Sequence, residues 1–165
     1  VPRGETGEIW LRSRAIVPGY FGNPEQTASE FQDGFWKSGD IGRIDERGFF
    51  HIVDRKKDMI ISGGFNIYAN EVESALNSHP AVLMSAVVGV PHEEWGESVH
   101  AEVMLKEGAE VEEAELIQHV RNELGGYKTP KSVEIVEEIP TSVVGKVLRR
   151  QVRQKYWEEA GRKVG

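Results

Sequence analysis

There is no cysteine in the 165 residues, which removes disulfides, thiolate nucleophiles and sulfur-ligated zinc from consideration. The same absence fits a reducing compartment, so the expected location is the cytoplasm. No apolar run approaches the roughly 20 residues needed to cross a bilayer, and no signal peptide is visible. No long basic tract occurs and the net charge is −7, so nucleic acid is not an expected partner. The acidity favours solubility and names no partner of its own. Internal repeats and low-complexity segments are missing too. What remains is ordinary for a globular chain: 39% hydrophobic and 28% charged residues, enough for one domain with a core or two small ones.

Two familiar ligand motifs also fail to close. "IPTSVVGKVLRR", residues 139–150, sets Gly145-Lys146 ahead of a basic run and suggests a phosphate cradle. A P-loop needs a glycine five residues before the Gly-Lys pair and a Ser or Thr after it; those positions hold Pro140 and Val147. His92-Glu93-Glu94-Trp95 starts like a zinc motif, but the position four after His92 is Gly96. His51, His79, His100 and His119 are scattered without ligand spacing and read as structural, so no metal site is expected.

What is present falls into two parts of different character. Glu8–Leu11 reads as a strand, and Asn23-Pro24 as the N-cap and first position of a short helix. Three strand-like runs follow, "GFWKS", "DIGRID" and "GFFHIVD", with Glu46-Arg47-Gly48 as a hairpin connection. "DRKKD", 54–58, interrupts this pattern. Five consecutive charges enter a core only at high cost, so the segment is expected to be exposed and to mark a boundary.

Beyond it the order reads ββ-α-β-β-α-β-loop-α. "MIISGGFNIY" supplies two short strands around Ser62-Gly63-Gly64, and Asn70 with Glu73 reads as a capping box. Val72, Ala75 and Leu76 mark the buried stripe of that helix. "AVLMSAVVGV" is a largely apolar strand, and "SVHAEVML" places Val99, Ala101, Val103 and Leu105 on one face. A second helix turns Leu116, Ile117, Val120 and Leu124 inward and stops at Gly125-Gly126. "SVEIVEEIP" is the last strand, and a final helix starts near Val147. The class is α+β: a β-rich segment over 1–54, a hinge at 55–58, and a compact α+β domain over 59–165. That domain has a mostly antiparallel sheet and about three helices. Val1-Pro2-Arg3-Gly4 runs directly into a strand, as expected of a piece of a longer protein.

Several residues invite chemistry, each against a plainer alternative. Lys146 on a loop can deliver one mobile positive charge, or be a solvated lysine at a helix start. A cation at a helix N-terminus is unfavourable unless an anion visits, and Arg149 and Arg150 add to the same positive end. Asp40 in "WKSGD" can accept hydrogen bonds from a ribose diol, or be an Asx-turn residue. Arg55 can donate a bidentate pair, or be one of five solvated charges. Gly63-Gly64 permits close backbone approach to a ligand, or simply makes a tight turn.

Taken together and in order, these segments resemble the C-terminal part of adenylate-forming enzymes, the superfamily of acyl-CoA synthetases, luciferases and peptide-synthetase adenylation domains. The resemblance covers nearly the whole chain. It rests on "GEIWLRSRAIVPGY", "GFWKSGDIGRID", "VDRKKDMIISGGFNIYANEVE" and "IPTSVVGKVLRR". It implies a carboxylate activated by ATP and magnesium as an acyl-adenylate, then captured by a thiol, usually of CoA, with release of AMP. It further implies that a small C-terminal domain rotates between the steps. By position, Asp40 and Arg55 would bind the ribose of ATP or AMP, and Lys57 would be the hinge. Lys146 would serve the first step, and Gly63, Gly64 and Phe65 would line the CoA passage. The hinge residue is lysine where many CoA synthetases have aspartate, and "VDR" replaces the more common "GR". "DMIISGG" with "NIYANEVE" is most similar to fatty-acid or aryl-acid CoA ligases. The phosphate loop, the acyl pocket and the main magnesium ligands would lie in a large N-terminal domain this chain lacks, so the chain alone is expected to be inactive. Two other roles remain open at this point: loading of a carrier protein, and a stand-alone interaction module without chemistry.

Overall fold

Alternating side chains and two glycine turns build an antiparallel sheet at the start of the chain. The computed structural model describes residues 1–161, which divide into two units, Val1–Lys57 and Asp58 onward. In the first unit, β1 (Gly7–Leu11), β2 (Phe31–Gln32) and β4 (Phe50–Arg55) all pair with β3 (Phe35–Ile44). Helix α1 (Pro24–Glu30) opens with Pro24 at its first position, and Asn23 accepts the Gln26 N–H as the N-cap.

Two details differ from the sequence reading. The runs expected as separate strands around Ser38-Gly39-Asp40 form the single strand β3. Gly39 takes φ +73 within it, and the Ser38 hydroxyl donates to the Ile9 carbonyl (2.8 Å) while accepting the Asp40 N–H (3.1 Å). That hydroxyl keeps the pairing continuous through the kink. Asp33 and Gly34, both at positive φ, turn the chain from β2 into β3, a hairpin the sequence reading missed.

The charged run is not uniformly exposed either. Arg55, Lys56 and Lys57 face solvent, but Asp54 is buried, accepting the Arg55 N–H at 2.8 Å. Its position on β4, opposite Ile41 of β3, turns its side chain inward whatever its neighbours do.

The second unit is a three-layer α+β structure. Its sheet contains β5 (Ile60–Ser62), β6 (Phe65–Ile67), β7 (Val82–His92), β8 (Gly96–Leu105) and β9 (Ser132–Ile135). Every pairing is antiparallel except β8 with β9, which is parallel. Helices α2 (Ala69–Ser78) and α3 (Glu113–Leu124) share a core with one face of the sheet. Val72, Ala75 and Leu76 meet Leu116 and Val120 there, over Val87, Val99, Ala101 and Val103. Each valine or leucine among them, fully buried, contributes roughly 1.5–3 kcal/mol. α3 stops at Gly125, whose φ of 81° and ψ of 176° suit only glycine.

The opposite face of β8 is covered as well. Ser98, His100 and Glu102 are buried, because helix α4 (Arg149–Glu159) lies over that side. Val152 and Tyr156 of α4 pack with Ala86, Val88 and Ile139. α4 begins two residues later than expected, so Lys146 precedes the helix and does not start it. No helix among the described residues is long and apolar enough to cross a membrane.

Candidate functional site

In the first unit, antiparallel pairing sets Asp40 directly opposite Arg55. The Arg55 Nε lies 3.9 Å from Asp40 Oδ1, close enough to orient the two groups and too far for a hydrogen bond between them. Both side chains stay substantially solvated, so the pair adds little stability and keeps its donors and acceptors open to a ligand. They line a cleft of about 740 Å³ with Glu8, Trp36, Lys37 and Lys57. Lys57 is exposed on a single 3-10 turn, Lys56–Asp58, and is the last residue of the first unit. Its neighbour Lys56 is tied back to Glu8 at 3.0 Å.

In the second unit, Gly63 (φ +56) and Gly64 (φ +83) form the two-residue turn between β5 and β6. Two consecutive positive φ values match the twist of the strands and favour glycine at both places. The Gly63 N–H donates to the Trp95 carbonyl at 3.1 Å, and a Cβ placed on Gly64 would touch nothing within 4 Å. The turn is therefore held in place while its outer surface stays open. Phe65 follows, exposed, its ring centroid 5.2 Å from that of Tyr127.

Lys146 sits on a short hairpin. The Ser142 N–H donates to the Lys146 carbonyl (2.8 Å), the Lys146 N–H to the Ser142 hydroxyl (3.1 Å), and the Leu148 N–H to the Pro140 carbonyl (2.8 Å). Thr141 and Val147 form a bridge below the tip, and Gly145 takes φ +75 to close it. Val143, Val144 and the Lys146 side chain are exposed. Among the described residues the Lys146 ammonium has no ion pair, so the backbone is fixed and the charge is free to meet an anion.

The pair read as a capping box does something else. Tyr68 occupies the N-cap of α2 with no side-chain cap bond, and Asn70 and Glu73 instead hold Arg149. Glu73 Oε1 accepts both the Arg149 Nε–H (2.7 Å) and the Val87 N–H on β7 (2.9 Å). The sequence signal for this was Arg149 at a helix start, where a bare cation is unfavourable.

The other cluster missed in the sequence is His100, Glu102 and Glu134, whose ligating atoms lie within 4.8 Å of one another. The Tyr156 hydroxyl fills the space between them, at 2.8 Å from each carboxylate, and Lys155 reaches Glu102 at 3.3 Å and Glu134 at 3.5 Å. Burial, aided by the two carboxylates, pushes the Tyr156 pKa up, and the Tyr156 hydrogen bond draws that of Glu134 down. A cluster already supplied with an ammonium and a phenol proton does not fit magnesium, which needs several free oxygens. Asp40 does not fit it either, with a guanidinium at 3.9 Å.

Residues 71–146 match the model of the AMP-binding enzyme C-terminal domain. Those residues of the chain belong to this family. A feruloyl-CoA synthase of Amycolatopsis is 47% identical over 94% of the chain and 32% of its own length. A long-chain-fatty-acid–CoA ligase of Bacillus subtilis is 46% identical over 93% of the chain and 28% of its own length. The solved structure of ATP-bound MatB from Rhodopseudomonas palustris superposes with a TM-score of 0.88 at 43% identity, covering 94% of the chain and 31% of that protein. The chain thus spans about a third of the length of the relatives it matches. The matched stretch ends at Lys146; the Gly63–Phe65 turn precedes it in the same unit, while Asp40, Arg55 and Lys57 belong to the preceding unit.

Proposed function

We propose that this chain is the C-terminal portion of an ATP-dependent acid–CoA ligase. In the first step a carboxylate oxygen attacks the α-phosphorus of ATP, giving an acyl-adenylate and pyrophosphate. In the second a thiolate attacks the acyl carbon and AMP leaves. The observation that carries this reading is the Lys146 hairpin, a hydrogen-bonded backbone presenting an exposed ammonium that has no ion pair among the described residues. Such a group stabilises charge developing between the carboxylate and the α-phosphate, and a long side chain withdraws easily afterwards.

In this reading the Asp40 carboxylate accepts from the ribose hydroxyls and Arg55 donates to them. Lys57 is the hinge, where solvated charge is retained in either orientation and neither state must bury it. The open Gly63-Gly64 turn and the exposed Phe65 ring let a narrow pantetheine arm pass along the backbone. Among the described residues neither the His100 cluster nor Asp40 suits magnesium, so its main ligands are assigned to the remainder of the enzyme, as are the acyl pocket and the phosphate loop. This chain by itself is accordingly inactive, and the cytoplasm is its proposed location.

The test uses the complete enzyme with Lys146→Ala. ATP–pyrophosphate exchange should fall by about a hundred-fold or more while thioester formation from supplied acyl-adenylate and CoA persists. Retention of both activities would make Lys146 a surface residue and remove the mechanism.

A further inference from the structure

α4 is attached in an unusual way. Val152 is its one buried residue, and polar contacts do much of the rest: Arg153 to Glu97 at 2.5 Å, Trp157 Nε1–H to the Gly89 carbonyl at 2.9 Å, and Lys155 and Tyr156 to the glutamates. Near its N-terminus the polar side-chain contacts centre on Arg149. The guanidinium reaches Glu73 through Nε and Nη2, Asn70 through Nη2, and Asp58 through Nη1 at 3.5 Å. The side chains of Arg149, Glu73 and Asp58 are all more than four-fifths buried.

This arrangement is costly if its only purpose is stability. A buried ion pair is often matched or bettered by apolar side chains of the same volume, and Arg149 also places a cation at a helix N-terminus. Geometry is what a planar guanidinium supplies in return: three acceptors on two elements are fixed relative to one another. One of those elements is α2. The other holds Asp58, the first residue of the second unit, next to Lys57. Arg149 itself lies three residues after Lys146, at the base of the hairpin whose outgoing arm is otherwise held by the Leu148–Pro140 bond.

We infer that Arg149 is a positioning residue for Lys146. Clamped between Glu73 and Asp58, it sets the direction in which the hairpin presents the ammonium and ties that direction to the first residue after the boundary. Any turn of the chain at Lys57 then carries Lys146 as part of a rigid body. This rests on the role proposed above for Lys146, and it assigns to Arg149 no contact with substrate.

The experiment is a double-mutant cycle in the complete enzyme. Arg149→Lys keeps the charge and loses the fork; Glu73→Gln keeps the Val87 N–H bond and weakens the pair. Each should lower ATP–pyrophosphate exchange by about ten-fold, since small misplacements of a catalytic group are expensive. Thioester formation from supplied acyl-adenylate and CoA should stay near the unmodified rate. In a Lys146→Ala background Arg149→Lys should have no further effect on exchange, because its only route of action is gone. The inference is overturned if Arg149→Lys and Glu73→Gln leave exchange unchanged, slow both half-reactions alike, or add their loss to that of Lys146→Ala. If Lys146→Ala alone leaves exchange intact, the proposed function itself has failed, a different and recognisable result. Should Arg149→Lys not fold, as judged by its melting curve, Glu73→Gln decides.

Discussion

His100 Nε2 lies 2.7 Å from the Tyr156 hydroxyl, joining the centre of β8 to the middle of α4. Because the phenol proton serves the Glu102 and Glu134 carboxylates, its oxygen accepts the Nε2–H, and Nδ1 lies 2.7 Å from the Ser132 hydroxyl. The buried site favours the uncharged imidazole. Burial lowers its pKa from the ordinary 6.5, outweighing the attraction of Glu102 and Glu134, while Lys155 pushes in the same direction as burial.

A pH dependence follows. Below about pH 6.5 the unfolded chain takes up a proton at His100 that the folded chain resists, so stability falls as pH drops through that value and levels off only below the depressed folded pKa. His100→Gln should flatten the unfolding free energy between about pH 7 and 5 relative to the unmodified chain. Parallel curves for the two proteins would contradict the assignment.

Tyr156→Phe removes the proton shared by the two carboxylates and leaves the His100 N–H unsatisfied. Chemical denaturation should report a loss of about 1–3 kcal/mol. A loss near zero would mean that Lys155 alone neutralises the pair.

Glu73→Ala removes the main acceptor of a largely buried guanidinium and strands the Val87 N–H, and should cost about 3–5 kcal/mol. Glu73→Gln should cost clearly less, since it keeps the acceptor for Val87. Equal losses in urea titrations would show that the charge, and not the acceptor, is what matters.

Gly125→Ala places a side chain at φ 81°, ψ 176°, where a Cβ would meet no neighbour within 4 Å. The expected loss of about 1–3 kcal/mol is thus purely backbone strain. Gly126→Ala, which has the same open space and no positive φ, is the control and should change little.

Lys146→Ala should leave the melting temperature unchanged, with a free-energy change within about 0.5 kcal/mol, because the side chain is exposed and makes no described contact. A marked drop in the melting curve would mean that any effect on activity reflects folding instead of chemistry.

Much of this architecture was legible in the sequence, and the misses have definite causes. Val72, Ala75 and Leu76 announced α2 by spacing, and Gly125 announced the end of α3. The order of elements after residue 58 was read correctly, because each apolar period was bounded by its own turn residues. Asn70 and Glu73 misled, since the spacing of a capping box is equally the spacing of two ligands on one helix face, and only the fold shows Arg149 opposite them. Asp54 misled because local charge density argued for exposure while strand alternation turned that one residue inward. The polar face of β8, with Ser98, His100 and Glu102, is covered by α4 through Tyr156 and Lys155, and nothing in the local sequence records that. The turn at Asp33-Gly34 was written in the sequence and overlooked.

The lone parallel pairing, β8 with β9, has a kinetic consequence. β7 and β8 meet through a tight turn at Glu93–Trp95 and can zip early, but β9 reaches β8 only after the chain has travelled out along α3 and returned. Closing that longer excursion demands chain entropy that the β7–β8 hairpin does not, so the sheet should finish assembling on its β9 side. Ile139, the Lys146 hairpin and α4 all lie beyond β9. The segment proposed to carry the chemistry would then be the last part of the chain to find its place, on a platform already formed.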